Sequence, residues 1–237
     1  MFTTKFKTSL HAYLMLNTSV GYKGTEVETR LGKAREIKSL SFTITNPTPK
    51  MVLRDEDLRI KTEYANTFWD FMISGGTNAE EVFKDYPNVA QFTQKPKSDV
   101  LPENFNTFYG PRILEQLPAI LKELEDNPST RRAVIKILDK SDNLLLGSDE
   151  TLEYPCTDSV TFSIENGALC SHVHMRSQNT LVVFQLDLFL QTKLLEHVAG
   201  LLGLNMGSLS FSMVNAHMYE KDRKYFTSII NNYLGEL

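Results

Sequence analysis

Apolar and polar residues alternate through Leu40-Ser41-Phe42-Thr43-Ile44-Thr45, the pattern of a strand with one buried face, and Asn46-Pro47-Thr48-Pro49 ends it. From Glu63 to Ser74 the spacing becomes helical and rich in aromatics, with Gly75-Gly76 as its stop. Pro96 to Asn106 follows neither period and reads as an irregular loop. A second helix is predicted over Ile113 to Glu125, where Leu114, Leu117, Ile120, Leu121 and Leu124 recur at helical spacing. Sheet dominates the second half. Ala133 to Leu138 is a strand, and Val160 to Ile164 with Leu169 to Met175 form a hairpin around Asn166-Gly167, a dipeptide that accepts the positive φ angles of a tight hairpin turn. A mostly buried helix is expected from Phe184 to Leu202, its apolar character broken by Asp187 and Gln191 one turn apart. A last strand, Leu209 to Val214, leads into Asn215-Ala216-His217-Met218-Tyr219, and a short tail follows. With a polar stretch at the N-terminus, the succession predicts an α+β fold, a mixed sheet flanked by helices.

Composition narrows the function. The chain has 237 residues, is 41% hydrophobic and carries no repeat, linker or low-complexity tract, so one domain over residues 1–237 is expected. A net charge of -4 leaves no basic stripe to neutralise a row of phosphates, which argues against a nucleic-acid polymer as partner. A single mononucleotide needs only a few arginines. No apolar run approaches the ~20 residues that span a bilayer, and Met1–Lys7 is too short and polar for a secretory lead, so a cytoplasmic protein without a membrane partner is expected. Cys156 and Cys170 are too few for a disulfide framework and are free for chemistry.

Pro155-Cys156-Thr157 places one of them just before the hairpin. Most intracellular cysteines are small buried hydrophobes; a nucleophile needs the thiolate, and the thiolate needs positive charge nearby. Arg30, the pair Arg131-Arg132, and Arg176 followed by Ser177 are candidates to grip one phosphate and to lower the thiol pKa. Each alone would be a solvated surface charge. Other chemistries fit less well. Cys170, His172 and His174 share one strand face, but no fourth ligand of convincing spacing accompanies them, and no metal is expected. A zinc deaminase would need H-x-E and P-C-x-x-C elements, whereas Ser159 stands at the second cysteine position. A cysteine protease would have only His217 as a late partner for Cys156.

As an ordered set, Asn127-Pro128-Ser129-Thr130-Arg131-Arg132, Pro155-Cys156, Met175-Arg176-Ser177, Asp187 on a helix and His217-Met218-Tyr219 resembles the thymidylate synthase family, which includes the phage deoxycytidylate hydroxymethylases. The similarity runs from Phe108-Tyr109-Gly110 to Tyr219 and more weakly upstream to Arg30-Leu31-Gly32. The resemblance implies that Cys156 adds to C6 of a pyrimidine and turns C5 into a carbon nucleophile toward the methylene of 5,10-methylenetetrahydrofolate, the co-substrate. It implies that Arg30, Arg176 and Ser177 hold the 5′-phosphate, that Arg131 and Arg132 reach it from the partner of a homodimer, and that His217 and Tyr219 bind the sugar 3′-hydroxyl.

Asp187 bears on the base. Synthases acting on dUMP have asparagine there, and the phage hydroxymethylases resemble this chain in having aspartate, and Thr157 in place of histidine after the cysteine. A carboxyl group can accept from the cytosine amino group and share a proton with N3, so dCMP is the expected substrate and 5-hydroxymethyl-dCMP the expected product. dTMP synthesis from dUMP is the second reading, and a nucleotide-binding homologue without catalysis the third. Asp187 as a helix cap is the plainer alternative for that residue. Two departures from the family pattern stand out. Phe68 occupies the helix position of an expected catalytic glutamate, with Glu63 and Asp70 nearby but off its face, and Asn179 replaces an aspartate that contacts the folate pterin.

Overall fold

In the computed structural model, which describes residues 4–84, 103–149 and 151–236, the chain opens with β1 (Thr4–Thr8), α1 (Ser9–Lys23) and the hairpin of β2 (Thr25–Thr29) with β3 (Gly32–Asn46). Helices α2 (Thr62–Ser74), α3 (Ala79–Phe83) and α4 (Tyr109–Asp126) follow. The second half holds β4 (Val134–Lys136), β5 (Thr157–Glu165), β6 (Ala168–Met175), β7 (Gln178–Asn179), α5 (Phe184–Leu201), β8 (Asn205–Tyr219) and α6 (Arg223–Asn232). The strands form one mixed sheet in the order β1-β3-β8-β6-β5-β4, with β2 added to β3 and β7 to β8. β6 and β8 run parallel, as do β1 and β3. The α+β expectation therefore holds.

Alternation along the strands sorts the two faces of the sheet. Phe42 and Ile44, Phe211 and Met213, Val173 and Met175, and Val160 and Phe162 share one face and are all buried. Helix α5 lies against this face; the Phe184 ring meets Phe42 and Phe211 edge-on, with centroids 6.1 and 5.2 Å apart. The opposite face is small and polar. Ser41, Thr43, Ser210 and Ser212 bond across β3 and β8, and His172 Nε2 lies 2.8 Å from Ser212 Oγ.

The Asn166-Gly167 turn has φ of 52° and 79°, as its two residue types allow. Gly75 closes α2 with φ of 77°. Other elements differ from their sequence patterns. The strand expected over 133–138 is only Val134–Lys136, because Ile137 and Leu138 turn their N–H groups to Asp158 O, beside the register shift between Thr157 and Ser159. Helix α4 begins at Tyr109, where Gly110 lets it press onto α2: a Cβ there would sit 2.2 Å from Met72 O. Helix α1, expected as a polar stretch, buries Ala12, Tyr13, Leu14, Leu16, Asn17 and Val20 around its circumference, which leaves no single apolar stripe to read. The tail contains α6, which buries Phe226, Ile229 and Ile230. Of the predicted loop over 96–106, residues 96–102 lie outside the described residues, and 103–106 are irregular. Among the described residues no helix is long and apolar enough to cross a membrane.

Candidate active site

A cavity of about 550 Å³ opens where the first turns of α5, the end of β8, the segment before β5 and the segment after β6 converge. Cys156, Arg176, Ser177, Asn179, Asp187, His217 and Tyr219 all line it, as does Arg30 from the β2–β3 turn. Its volume suits a mononucleotide with room beside it.

The nucleophile candidate sits on a braced segment. Backbone N–H groups of Cys156 and Thr157 both donate to Tyr109 Oη, at 3.2 and 3.0 Å. Arg176 donates through Nε to Pro155 O at 2.7 Å and through Nη2 to Tyr154 O at 2.9 Å, and its guanidinium lies over the Tyr154 ring. The same Nη2 stands 3.9 Å from Cys156 Sγ. Burial nevertheless pushes the thiol up; Arg176 offsets this only in part, and Asp187 adds to it. The sequence-based expectation of a lowered thiol pKa is thus corrected for this chain, because desolvation outweighs the one guanidinium that acts on the sulfur.

Asp187 lies in the first turn of α5, whose cap residue is Val183, so it does not cap the helix. Gln178 Nε2 donates to its Oδ2 at 2.8 Å. Burial outweighs that bond and raises the carboxyl to about 6, which makes a shared proton accessible near neutral pH. Across β3 and β8 the register sets Glu36 beside His217 and Ala34 beside Tyr219. Burial holds His217 down to about 4, so the ring is neutral; its Nδ1 lies 3.0 Å from Asn215 Oδ1 and 3.4 Å from Ser177 Oγ. The Tyr219 ring stands edge-on to it at 5.2 Å.

Not every candidate joins this group. Arg131 and Arg132 precede β4 and are exposed outside the cavity; Arg132 pairs with Glu123 at 3.1 Å. Asn179 lines the cavity, but its Oδ1 accepts from the N–H groups of Leu181 and Val182. Phe68 lines the cavity and packs on Phe108, while Glu63 and Asp70 are exposed. Among the described residues, the carboxyl groups that line it are Glu36, Glu153 and Asp187, none of them on α2. Cys170 is buried and accepts from Ser208 N, His172 and His174 stack at 4.6 Å, and among the described residues no His, Cys, Asp or Glu group could hold a metal ion.

Several site residues escaped the sequence reading. Tyr109 and Asn215 lie inside the Phe108-Tyr109-Gly110 and Asn215-Ala216-His217 motifs, and that membership is the signal the sequence holds for them. Gln178 and Glu153 flank motif residues but carry no signal of their own. Glu153 Oε2 accepts from the N–H groups of Asn106 and Thr107 at 2.6 and 2.8 Å, and burial still raises its pKa. Glu36 enters only through strand register.

A cavity lined by a cysteine, two arginines, an imidazole, a phenol and carboxyl groups is the layout of a nucleophilic transferase site. A family model described as thymidylate synthase matches residues 25–233, and the chain belongs to the thymidylate synthase family of folate-dependent pyrimidine nucleotide C5 transferases. A Methanocaldococcus jannaschii protein named "Putative thymidylate synthase" is 26% identical over 211 residues, which cover 86% of each chain. A second protein of that name, from Methanopyrus kandleri, is 29% identical over 156 residues, 62% of this chain and 72% of the relative. The "Deoxyuridylate hydroxymethyltransferase" of Bacillus phage SP01 is 23% identical over 240 residues, 94% of this chain and 60% of that protein.

Proposed function

We propose that the protein is a dCMP hydroxymethylase, which places a one-carbon unit from 5,10-methylenetetrahydrofolate on C5 of dCMP through a covalent bond between Cys156 and C6. The observation that carries this reading is Asp187: raised to about 6, its carboxyl can take up near neutral pH a proton shared with cytosine N3, and Gln178 occupies one oxygen while the other remains for the amino group. Arg30, Arg176 and Ser177 bind the phosphate, and His217 and Tyr219 the sugar.

The cavity also fits the folate. Phe68, Phe105 and Phe108 form an aromatic wall beside the nucleotide's place, and Asn179, whose Oδ1 is taken by backbone N–H groups, has its amide donors for the pterin. Methylenetetrahydrofolate supplies the one-carbon unit when bound. Two copies of the chain form the working unit, with Arg131 and Arg132 of each completing the phosphate site of the other; their exposure outside their own cavity supports this placement.

A second reading, dUMP as substrate, draws on the name of the phage relative, a deoxyuridylate hydroxymethyltransferase, and on the same Asp187, which in its protonated form can donate to O4 and accept from N3–H. Incubation with C5-tritiated dCMP and dUMP, followed by mass spectrometry of the product, separates the readings. Tritium release from dCMP and a hydroxymethylated product are expected, both lost in Cys156→Ser while nucleotide affinity stays within about tenfold. Release from dUMP alone assigns the second reading, and binding without release from either nucleotide refutes both.

A further inference from the structure

The polar row Glu36, Asn215, His217 crosses from β3 to the cavity end of β8, and its hydrogen bonds can be oriented from one unambiguous member. A carboxylate only accepts. Glu36 pairs with Lys38 Nζ at 3.3 Å, and a carboxyl in such a pair is ionised at neutral pH. The short contact between Asn215 and Glu36 Oε2 must therefore be donated by the amide nitrogen Nδ2. That choice leaves Asn215 Oδ1, an acceptor, facing His217 Nδ1 at 3.0 Å, so Nδ1 carries the hydrogen. Because the ring is neutral, Nε2 is then a bare lone pair.

We propose that Glu36 is a positioning residue which, through Asn215, locks His217 in its Nδ1–H tautomer, so that the imidazole presents an acceptor to the cavity and selects a ligand bearing a hydroxyl donor there. The proposal rests on the nucleotide reading only in naming that hydroxyl as the 3′-hydroxyl of the sugar; the tautomer itself follows from the row of bonds. A ligand with an ether, a phosphate or no polar group at that place would meet a lone pair without a partner, at the usual cost of an unmatched buried polar group. With the opposite tautomer, the preference would reverse.

The row also predicts its own rescue. Glu36→Gln removes the member that dictates the orientation: the amide introduced on β3 can donate to Asn215 Oδ1, which turns Nδ2 toward His217 and moves the ring hydrogen to Nε2. In the double variant Glu36→Gln, Asn215→Asp the charge moves to β8; the β3 amide donates to one oxygen of the new carboxylate, and the other oxygen again accepts from Nδ1–H. A residue that mattered only for folding would not be rescued in this pattern.

The test uses the full-length protein labelled with ¹⁵N-histidine. Long-range ¹H–¹⁵N spectra of the free protein read the His217 tautomer, assigned by comparison with His217→Gln. The expected result is a single Nδ1–H form in the parent and the double variant, and a mixture or the Nε2–H form in Glu36→Gln. An Nε2–H parent, or a Glu36→Gln variant with the parent's tautomer, overturns the proposal. Calorimetry with dCMP, dUMP and their 3′-deoxy analogues supplies the second arm. Glu36→Gln should bind the 3′-hydroxyl nucleotides roughly tenfold more weakly, the worth of one buried hydrogen bond, with the analogues little affected and the double variant restored. Loss of affinity for both sets alike, or no loss for either, overturns the selection step. If the parent binds no nucleotide at all, the proposed function fails, while the spectra still decide the tautomer. Should Glu36→Gln fail to fold, Glu36→Ala supplies the same contrast: it too removes the acceptor that orients the Asn215 amide, so a mixture or the Nε2–H form is expected, and the parent's tautomer would overturn the proposal.

Discussion

Replacing Asp187 by asparagine tests the base assignment and the electrostatics of the cavity together. Burial raises this carboxyl from its ordinary 3.8 to about 6, despite the bond from Gln178. The folded chain therefore keeps a proton that the unfolded chain has lost between those pH values. Stability falls as pH rises through that window, and above it the full penalty of a buried charge is present. The displacement corresponds to at most about 3 kcal/mol. Asp187→Asn, which keeps an acceptor for Gln178 but has no charge to bury, should be more stable than the parent at pH 8 by up to that amount and nearly equal to it at pH 4. Urea denaturation at the two pH values measures the difference. A gain of equal size at both, or none at pH 8, would show that the carboxylate is not ionised at a cost and would remove the argument for a shared proton. The same variant should turn from dCMP toward dUMP. An amide donates to O4 and accepts from N3–H, and mispairing a buried polar edge costs ~1–3 kcal/mol, so the ratio of the two rates should move by roughly ten- to a hundredfold. An unchanged ratio would count against the contact.

Three further outcomes are expected. His217, held at about 4 against an ordinary 6.5, is protonated in the unfolded chain before the folded one, so it withdraws stability as pH falls through that interval; His217→Gln should flatten the acid limb of a stability–pH curve. Arg176→Lys keeps the charge but cannot serve the carbonyls of Tyr154 and Pro155 together with a phosphate, and calorimetry should show nucleotide affinity reduced by ~10–100-fold. Gly110→Ala places a methyl group 2.2 Å from Met72 O, which should push α4 from α2 at a cost of roughly 1–3 kcal/mol in chemical denaturation and slow turnover by displacing Tyr109 from the amides of Cys156 and Thr157.

Local patterns in this chain carried the elements whose signals are local. The alternation around Phe42, the Asn166-Gly167 turn and the Gly75 stop each depend on a few adjacent residues, and the structure agrees with them. The motif around Cys156 and the Arg176-Ser177 pair were legible because they fall on one strand–turn–strand unit, where sequence distance and spatial distance stay close. Helix α1 was not legible, since a helix buried on several sides loses the stripe on which periodicity depends. The tertiary structure alone decided three properties of the site. It set the thiol pKa upward, because burial depends on everything packed around Cys156. It gave Asp187 a partner in Gln178, nine residues away, and a pKa of about 6. It brought Glu36 to His217, from the opposite end of the sequence, through the pairing of β3 with β8. Residue types thus determined which chemistry this protein can attempt, and desolvation and strand register, which are sums over distant contacts, decided the protonation states in which it attempts it.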